Sequence, residues 1–209
     1  GVGDDTTELQ ADLDDDGWAR LPAGVFLISD TLTIPSGGGI SGAGQAKTVI
    51  RGNLGKALIS SPNTSVRHYD ITLRDLMVDN TSSATAGGVA IDLTRVTCAH
   101  VSNVYVIRAA IGVQMHGWAF YNDFYSLRVD QCGTGVSLTG GSNENRFFAT
   151  KMGTVGTGVS LDGGTNNFFS GGSIEGFSSH GFDISPETCD QYVRIYGFRF
   201  ENVETPAGT

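Results

Sequence analysis

Apolar and polar residues alternate along most of this chain in runs of three to five positions, as in Val104-Tyr105-Val106 and Leu127-Arg128-Val129. A period of two buries one face of a strand and exposes the other. Strand-like runs begin at Ala19-Arg20-Leu21, 25–28 and 31–34, with Gly37-Gly38-Gly39 and Gly42-Ala43-Gly44 as turns. Only the amino-terminal stretch breaks the pattern. From Asp5 to Leu13 it carries Asp and Thr start signals, early acids, and Leu9 and Leu13 at a helical spacing of four. This stretch predicts a short helix over the open end of whatever the strands build, where bare strand edges would otherwise template aggregation.

The alternation is organised by a repeat. Gly88-Val89-Ala90-Ile91, Gly112-Val113-Gln114-Met115, Gly135-Val136-Ser137-Leu138, Gly158-Val159-Ser160-Leu161 and Gly181-Phe182-Asp183-Ile184 share a phrase whose glycines step by 24, 23, 23 and 23. A second phrase follows each, ending at Val106, Val129, Met152, Ile174 and Phe200. Between the phrases stands Asn-x-Phe, at Asn122, Asn145 and Asn166. One such unit has no helical stretch and cannot bury its apolar face alone. Stacked copies pair each strand with its equivalent above and below, about 4.8 Å apart, around a continuous column of Val, Ile, Leu, Met and Phe. The fold class predicted is all-β: a single-stranded parallel β-helix of about 23 residues per coil, on the order of eight coils, with an N-terminal capping helix. A β-propeller is excluded because its blades need about 40–50 residues. The organisation expected is one domain over 1–209, with the cap helix and its turn in 1–18 and stacked coils in 19–209. Asn143, Asn145, Asn166 and Asn167 are expected to form side-chain amide ladders between coils.

Composition agrees: 30 of 209 residues are Gly, about twice ordinary usage, and helix formers are scarce. The net charge of -9, from 22 acids and 13 bases, repels phosphate backbones, so nucleic acid is not an expected partner. Cys98, Cys132 and Cys189 follow no disulfide or metal spacing and read as free buried thiols. No run is long enough to insert in a membrane, and no basic leader precedes an apolar run at residue 1, so the chain reads as an excised domain.

Gly-Asp-Asp-Thr at 3–6, the Leu9-Gln10 helix, Leu21-Pro22-Ala23-Gly24-Val25-Phe26-Leu27-Ile28, Thr31-Leu32-Thr33-Ile34-Pro35 and Gly42-Ala43-Gly44 together resemble the start of pectate-lyase-like β-helix proteins. In style the likeness is to bacteriophage tailspikes and rhamnogalacturonase-like or epimerase-like enzymes. It covers the first 45 or so residues, and the later coils agree in period only. The resemblance implies a right-handed solenoid, a polysaccharide or oligosaccharide ligand, often a homotrimer, and a place in a virion tail or outside the cell, with folding in the cytosol for a phage protein. Fold follows from it; chemistry does not.

The candidate chemistry comes from parity. With Leu127 and Val129 inward, Arg128 and Asp130 point out, and so do Lys151, Ser173 with Glu175, and Arg199 with Glu201; Asp79 takes the place of Asp130 two coils earlier. Hydrolysis of a glycosidic bond needs two carboxyls, about 5–5.5 Å apart for retention or about 6.5–9.5 Å for inversion. Glu175 and Glu201, one coil apart, suit the first, and Asp130 and Glu175, two coils apart at roughly 9.6 Å, suit the second. Crowding among them is expected to raise one pKa, as an acid requires. The same column also reads as a solvated face with weak ion pairs, because a solenoid stacks equivalent positions whether or not they work. A lyase or epimerase would use Arg128, Lys151, Arg199 or His180 to hold a uronate and move its C5 proton. Trp118, Phe120, Tyr121 and Tyr125 offer rings for sugars or for a neighbouring subunit of a homotrimer. The expected catalytic set is therefore Asp130, Glu175 and Glu201, and the expected carbohydrate contacts are Trp118, Tyr121, Tyr125, Arg128, Lys151 and Arg199. His116 and His180, beside glycines, read as turn residues. Asp12-x-Asp14-x-Asp16-Gly17 begins like an EF-hand loop but has Ala23 where the bidentate Glu belongs, so no metal is expected. The glycine strings lack the Lys-Ser/Thr of a phosphate loop, and no other cofactor motif appears.

Overall fold

The computed structural model describes residues 3–62, 65–81, 87–185 and 193–201. Among the described residues, after one helix, Thr6–Asp16, every element is a strand, and every pairing between strands is parallel. The first face of the solenoid stacks Trp18–Arg20, Gly39–Ser41, 72–74, 100–102, Asp123–Tyr125, 146–148, 168–170 and 194–196. A second face follows in each coil, from Gly24–Ile28 and Thr48–Gly52 through 77–80, 105–107, 128–130, 151–153 and 173–175 to 199–201. The third runs from Leu32–Thr33 through Ile59–Ser60, Val89–Asp92, Ile111–Met115, 134–139 and 157–162 to His180–Ile184. The result is a parallel β-solenoid of about 7 turns of roughly 23 residues, as the repeat predicted.

The second-phrase residues Val106, Val129, Met152, Ile174 and Phe200 stack in register, and the first four are buried, so the parity derived for this face holds. The first-phrase glycines are explained by close approach. A Cβ on Gly135 would lie 2.5 Å from the Gly158 carbonyl oxygen and 2.8 Å from the Met152 sulfur, and Gly112 and Gly158 are as confined. Two registers differ from the sequence pattern. Ile111 pairs with Val89, so Gly112 stands over Ala90 and Gly88 lies two residues out of line; a shift of two leaves inside and outside unchanged, which periodicity cannot detect. The third Asn-x-Phe is Asn167 to Phe169, not Asn166 to Phe168.

The amide ladder is real, but its members are Asn122, Asn145 and Asn167, all buried. Asn122 Nδ2 donates to Asn145 Oδ1 at 2.9 Å, and Asn145 Nδ2 donates to Asn167 Oδ1 at 3.1 Å. Beside it Phe124, Phe147 and Phe169 stack at 4.4 and 4.7 Å inside the first face. Asn143 serves differently, accepting the Thr165 N–H at 2.6 Å, and Asn166 is a corner residue with φ 56°.

The helix buries Leu9 and Leu13 and stops at Gly17, whose φ of 74° is the left-handed cap conformation that glycine adopts without strain. Asp12, Asp14 and Asp16 lie on this helix, which removes the EF-hand reading. Cys132 is buried, and burial pushes its thiol up to about 11. Cys98 is exposed, against expectation, because it occupies a left-handed corner (φ 61°) that turns its side chain outward; Cys189 lies outside the described residues.

Candidate functional site

The second face carries the charged columns. Its last outward position reads Arg51, Asp79, Ile107, Asp130, Gly153, Glu175, Glu201 along the solenoid, and the one before it reads Met77, Tyr105, Arg128, Lys151, Ser173, Arg199. At the amino-terminal end Asp79 is buried and fully engaged, bonded by Arg51 Nε at 2.8 Å and by Arg108 Nε and Nη2 at 2.9 and 2.5 Å. That acid holds coils together.

Further along the face opens into a groove of about 530 Å³ lined by Arg128, Asp130, Lys151, Gly153, Ser173 and Glu175. Gly153 makes it. Standing between Asp130 and Glu175 in the column, it leaves the space a side chain would fill. Two rungs separate the carboxyls, roughly 9.6 Å along the axis. Arg128 lies 4.5 Å from the centre of the Tyr105 ring and 3.8 Å from Asp130, and the Tyr105 hydroxyl reaches Asp130 Oδ2 at 3.4 Å. Burial and the Asp130 charge together raise the Tyr105 pKa.

Glu175 departs from expectation. Arg199 Nη2 donates to it at 2.7 Å and the Ser173 hydroxyl also bonds it, so its carboxyl is held below the usual range rather than above it. The same guanidinium reaches Glu201 at 3.2 Å. The one-coil pair is thus clamped by a shared cation, and Glu201 does not line the groove. Ser173 is buried between its neighbours instead of facing solvent.

The rings go elsewhere. Tyr125 is on the first face, stacked on Phe148 at 5.0 Å, and Tyr121 occupies a corner beside that face. Trp118, 60% exposed, sits at a different corner, over Gly141. His180 belongs to the third face and bonds the Ser179 hydroxyl, and His116 is exposed in a turn. Of the nine expected residues the structure brings four into one groove, Arg128, Asp130, Lys151 and Glu175, with Arg199 at its edge. Tyr105 and Gly153 were missed. Both are legible once the second phrase is aligned across coils, since they share the columns of Arg128 and Asp130. Among the described residues no group of three His, Cys, Asp or Glu side chains is placed to hold a metal ion.

Against known proteins, no family profile and no curated sequence matches the chain. Solved structures do. The A-module of mannuronan C-5 epimerase AlgE6 from Azotobacter vinelandii superposes with a TM-score of 0.63 at 17% identity, covering 87% of this chain and 62% of that one. The enzymatically active domain of bacteriophage CBA120 tailspike protein 2 gives 0.64 at 15% identity over 96% of this chain and 39% of its own. The fold is the right-handed parallel β-helix. The catalytic domain of a GH87 α-1,3-glucanase, solved with tetrasaccharides, gives 0.62 at 14% identity over 96% of this chain and 44% of that one. This chain spans less than two thirds of each. No helix among the described residues is long and apolar enough to cross a membrane.

Proposed function

We propose that residues 1–209 form a carbohydrate-active β-helix domain that binds a bacterial surface polysaccharide along the second face, in the groove between Asp130 and Glu175. The gap at Gly153 carries this reading: it opens a concave site among two cations and two acids, groups that donate to and accept from sugar hydroxyls. The likeness to a tailspike domain, an epimerase module and a glucanase domain, each named for a carbohydrate role or an active domain, supports the class of ligand. On this reading the domain belongs to a virion tail or an extracellular protein. A homotrimer would bury the exposed Trp118.

Cleavage by inversion is the second reading, favoured by the two-rung separation, which lies near the upper end of the inverting range. Glu175, held in its charged form by Arg199, suits the base that activates water, and Asp130 is then the acid. Capsule and lipopolysaccharide preparations, assayed for reducing ends and for the ultraviolet absorbance of unsaturated uronates, test both readings and separate hydrolase from lyase. Glu175→Gln and Asp130→Asn are each expected to abolish any turnover while binding and melting temperature stay nearly unchanged. Binding without turnover in the wild type leaves a receptor-binding module. Full binding by Arg128→Ala/Lys151→Ala removes this groove from the function.

A further inference from the structure

A second groove lies on the first face, away from the charged columns. Its volume is about 450 Å³. One side is the corner column Tyr121, Glu144 and Asn166, each in the left-handed region at φ 56°, 54° and 56°, each immediately before a ladder asparagine. The corners stack through backbone bonds, Tyr121 N to Asn143 O and Glu144 N to Thr165 O. Because the next residue is tied inward by the amide ladder, the backbone has to turn sharply there, and the corner side chains are thrown outward in a line. The outward residues Arg146, Phe148, Phe168 and Arg194 complete the lining.

The rings around it form a track along the axis. His100, Tyr125, Phe148, Phe168 and Tyr196 succeed one another at 5.3, 5.0, 5.7 and 5.8 Å between centroids. Tyr125 and Phe148 are parallel within 10°, so their faces cover each other. Between Phe148 and Phe168 the planes open to 58°, and the groove lies at that opening, where ring faces are left for a ligand. Beneath it the stacked Phe124, Phe147 and Phe169 and the amide ladder make a rigid base.

We propose that this groove is a second, independent saccharide site, taking a short stretch of glycan chain laid along the solenoid axis. The inference rests on the reading that the domain engages polysaccharide. The apolar face of a pyranose fits the wedge between Phe148 and Phe168, and its hydroxyls meet Asn166, Glu144 and Arg194. A second copy of the chain fits less well. The ten outward positions of these five rungs hold five rings, two serines, Asp123, Arg146 and Arg194, with no aliphatic side chain. Glu144 and Arg194 form no ion pair with a described residue. A protein surface closing over them would desolvate both charges, whereas sugar hydroxyls bond each. Single-stranded nucleic acid, which also stacks on rings, is opposed by the net charge of -9.

Calorimetric titration with oligomannuronate, α-1,3-gluco-oligosaccharides and deacylated lipopolysaccharide tests it. With the best of these probes the whole chain is expected to bind two short oligosaccharides. Tyr121→Ala/Arg194→Ala, both exposed positions, is expected to remove one site or weaken it about tenfold, while Arg128→Ala/Lys151→Ala affects only the other. Unchanged titration in the Tyr121/Arg194 variant overturns the inference, and a loss confined to Arg128/Lys151 then leaves the proposed function standing. Failure of every probe to bind the wild type overturns both. A fall in sedimenting mass in the Tyr121/Arg194 variant, with sugar binding intact, makes the groove a subunit contact and overturns the inference too.

Discussion

Met152 lies on the inner column of the second face between Val129 and Ile174, 1% exposed, with its sulfur against Gly135. Its neighbours are fixed at rung spacing, so they cannot collapse into the space its removal would leave. Met152→Ala is expected to cost about 2–5 kcal/mol in urea unfolding. A loss under about 0.5 kcal/mol, typical of surface positions, would show that the face is turned inside out. Such inward and outward assignments were legible because strand parity is strict: Arg128, Asp130, Lys151 and Glu175 all point where alternation puts them. What parity cannot give is shading. Ser173 has the outward phase of Lys151 and Arg199 yet is buried, and Glu175 carries a lowered pKa because Arg199, one coil on, bends back to it. Those facts depend on the reach of long side chains between coils.

At the scale of the coil, the ladder sets the register of the first face. Asn145 Oδ1 accepts the Asn122 N–H at 3.2 Å and its Nδ2 at 2.9 Å, while Asn145 Nδ2 donates to the Ala119 carbonyl at 3.2 Å and to Asn167. Asn145→Ala leaves the buried Asn122 N–H without a partner, while Asn122 Nδ2 keeps the Val96 carbonyl, the Ala119 carbonyl keeps the Asn143 N–H and Asn167 Oδ1 keeps the Asn145 N–H, so it is expected to cost about 1–3 kcal/mol. A melting temperature within a degree of wild type would mean that water replaces the amide. The ladder was expected to include Asn167, but the third Asn-x-Phe was placed one residue early because Asn166-Asn167-Phe168-Phe169 offers it in two phases one residue apart, and the sequence alone does not choose. Asn167 wins because Asn145 reaches it and Phe169 completes the inner stack, which leaves Asn166 and Phe168 facing out, into the groove of the first face. The aromatic track was hidden for the same reason: in this face the outward positions are the x of Asn-x-Phe and the residue after the Phe, and only the structure shows which Phe is the anchor.

At the scale of the whole molecule, a solenoid holds itself by nearest-neighbour contacts, so its ends are where it is exposed to wrong partners. The N-terminal helix closes one end by imitating a strand. Gln10 accepts from the Thr33 N–H at 2.9 Å and donates to the Thr33 carbonyl at 3.2 Å; the Asp5 carboxylate accepts from the Leu27 N–H at 2.8 Å, and the Thr6 hydroxyl from the Ser29 N–H at 2.8 Å. Asp4 adds bonds from Ser29 and Thr6 that lower its pKa from 3.8 to about 2. A carboxyl whose pKa falls on folding contributes stability that is fully present above its unfolded value and is lost as pH falls through the folded one, so this anchor should weaken between pH 4 and pH 2. The triple variant Asp5→Ala/Thr6→Ala/Gln10→Ala keeps Leu9 and Leu13 on the core but bares the N–H groups of Leu27, Ser29 and Thr33. It is expected to stay β-rich by circular dichroism and to self-associate, with light scattering rising with concentration at pH 7. In the wild type the same rise is expected only on acidification through the Asp4 titration, and Asp4→Asn, which has no carboxyl to protonate, should show the weakened anchor already at pH 7 and lose that pH dependence. A triple variant that remains as disperse as the wild type would show that the buried leucines alone close the end.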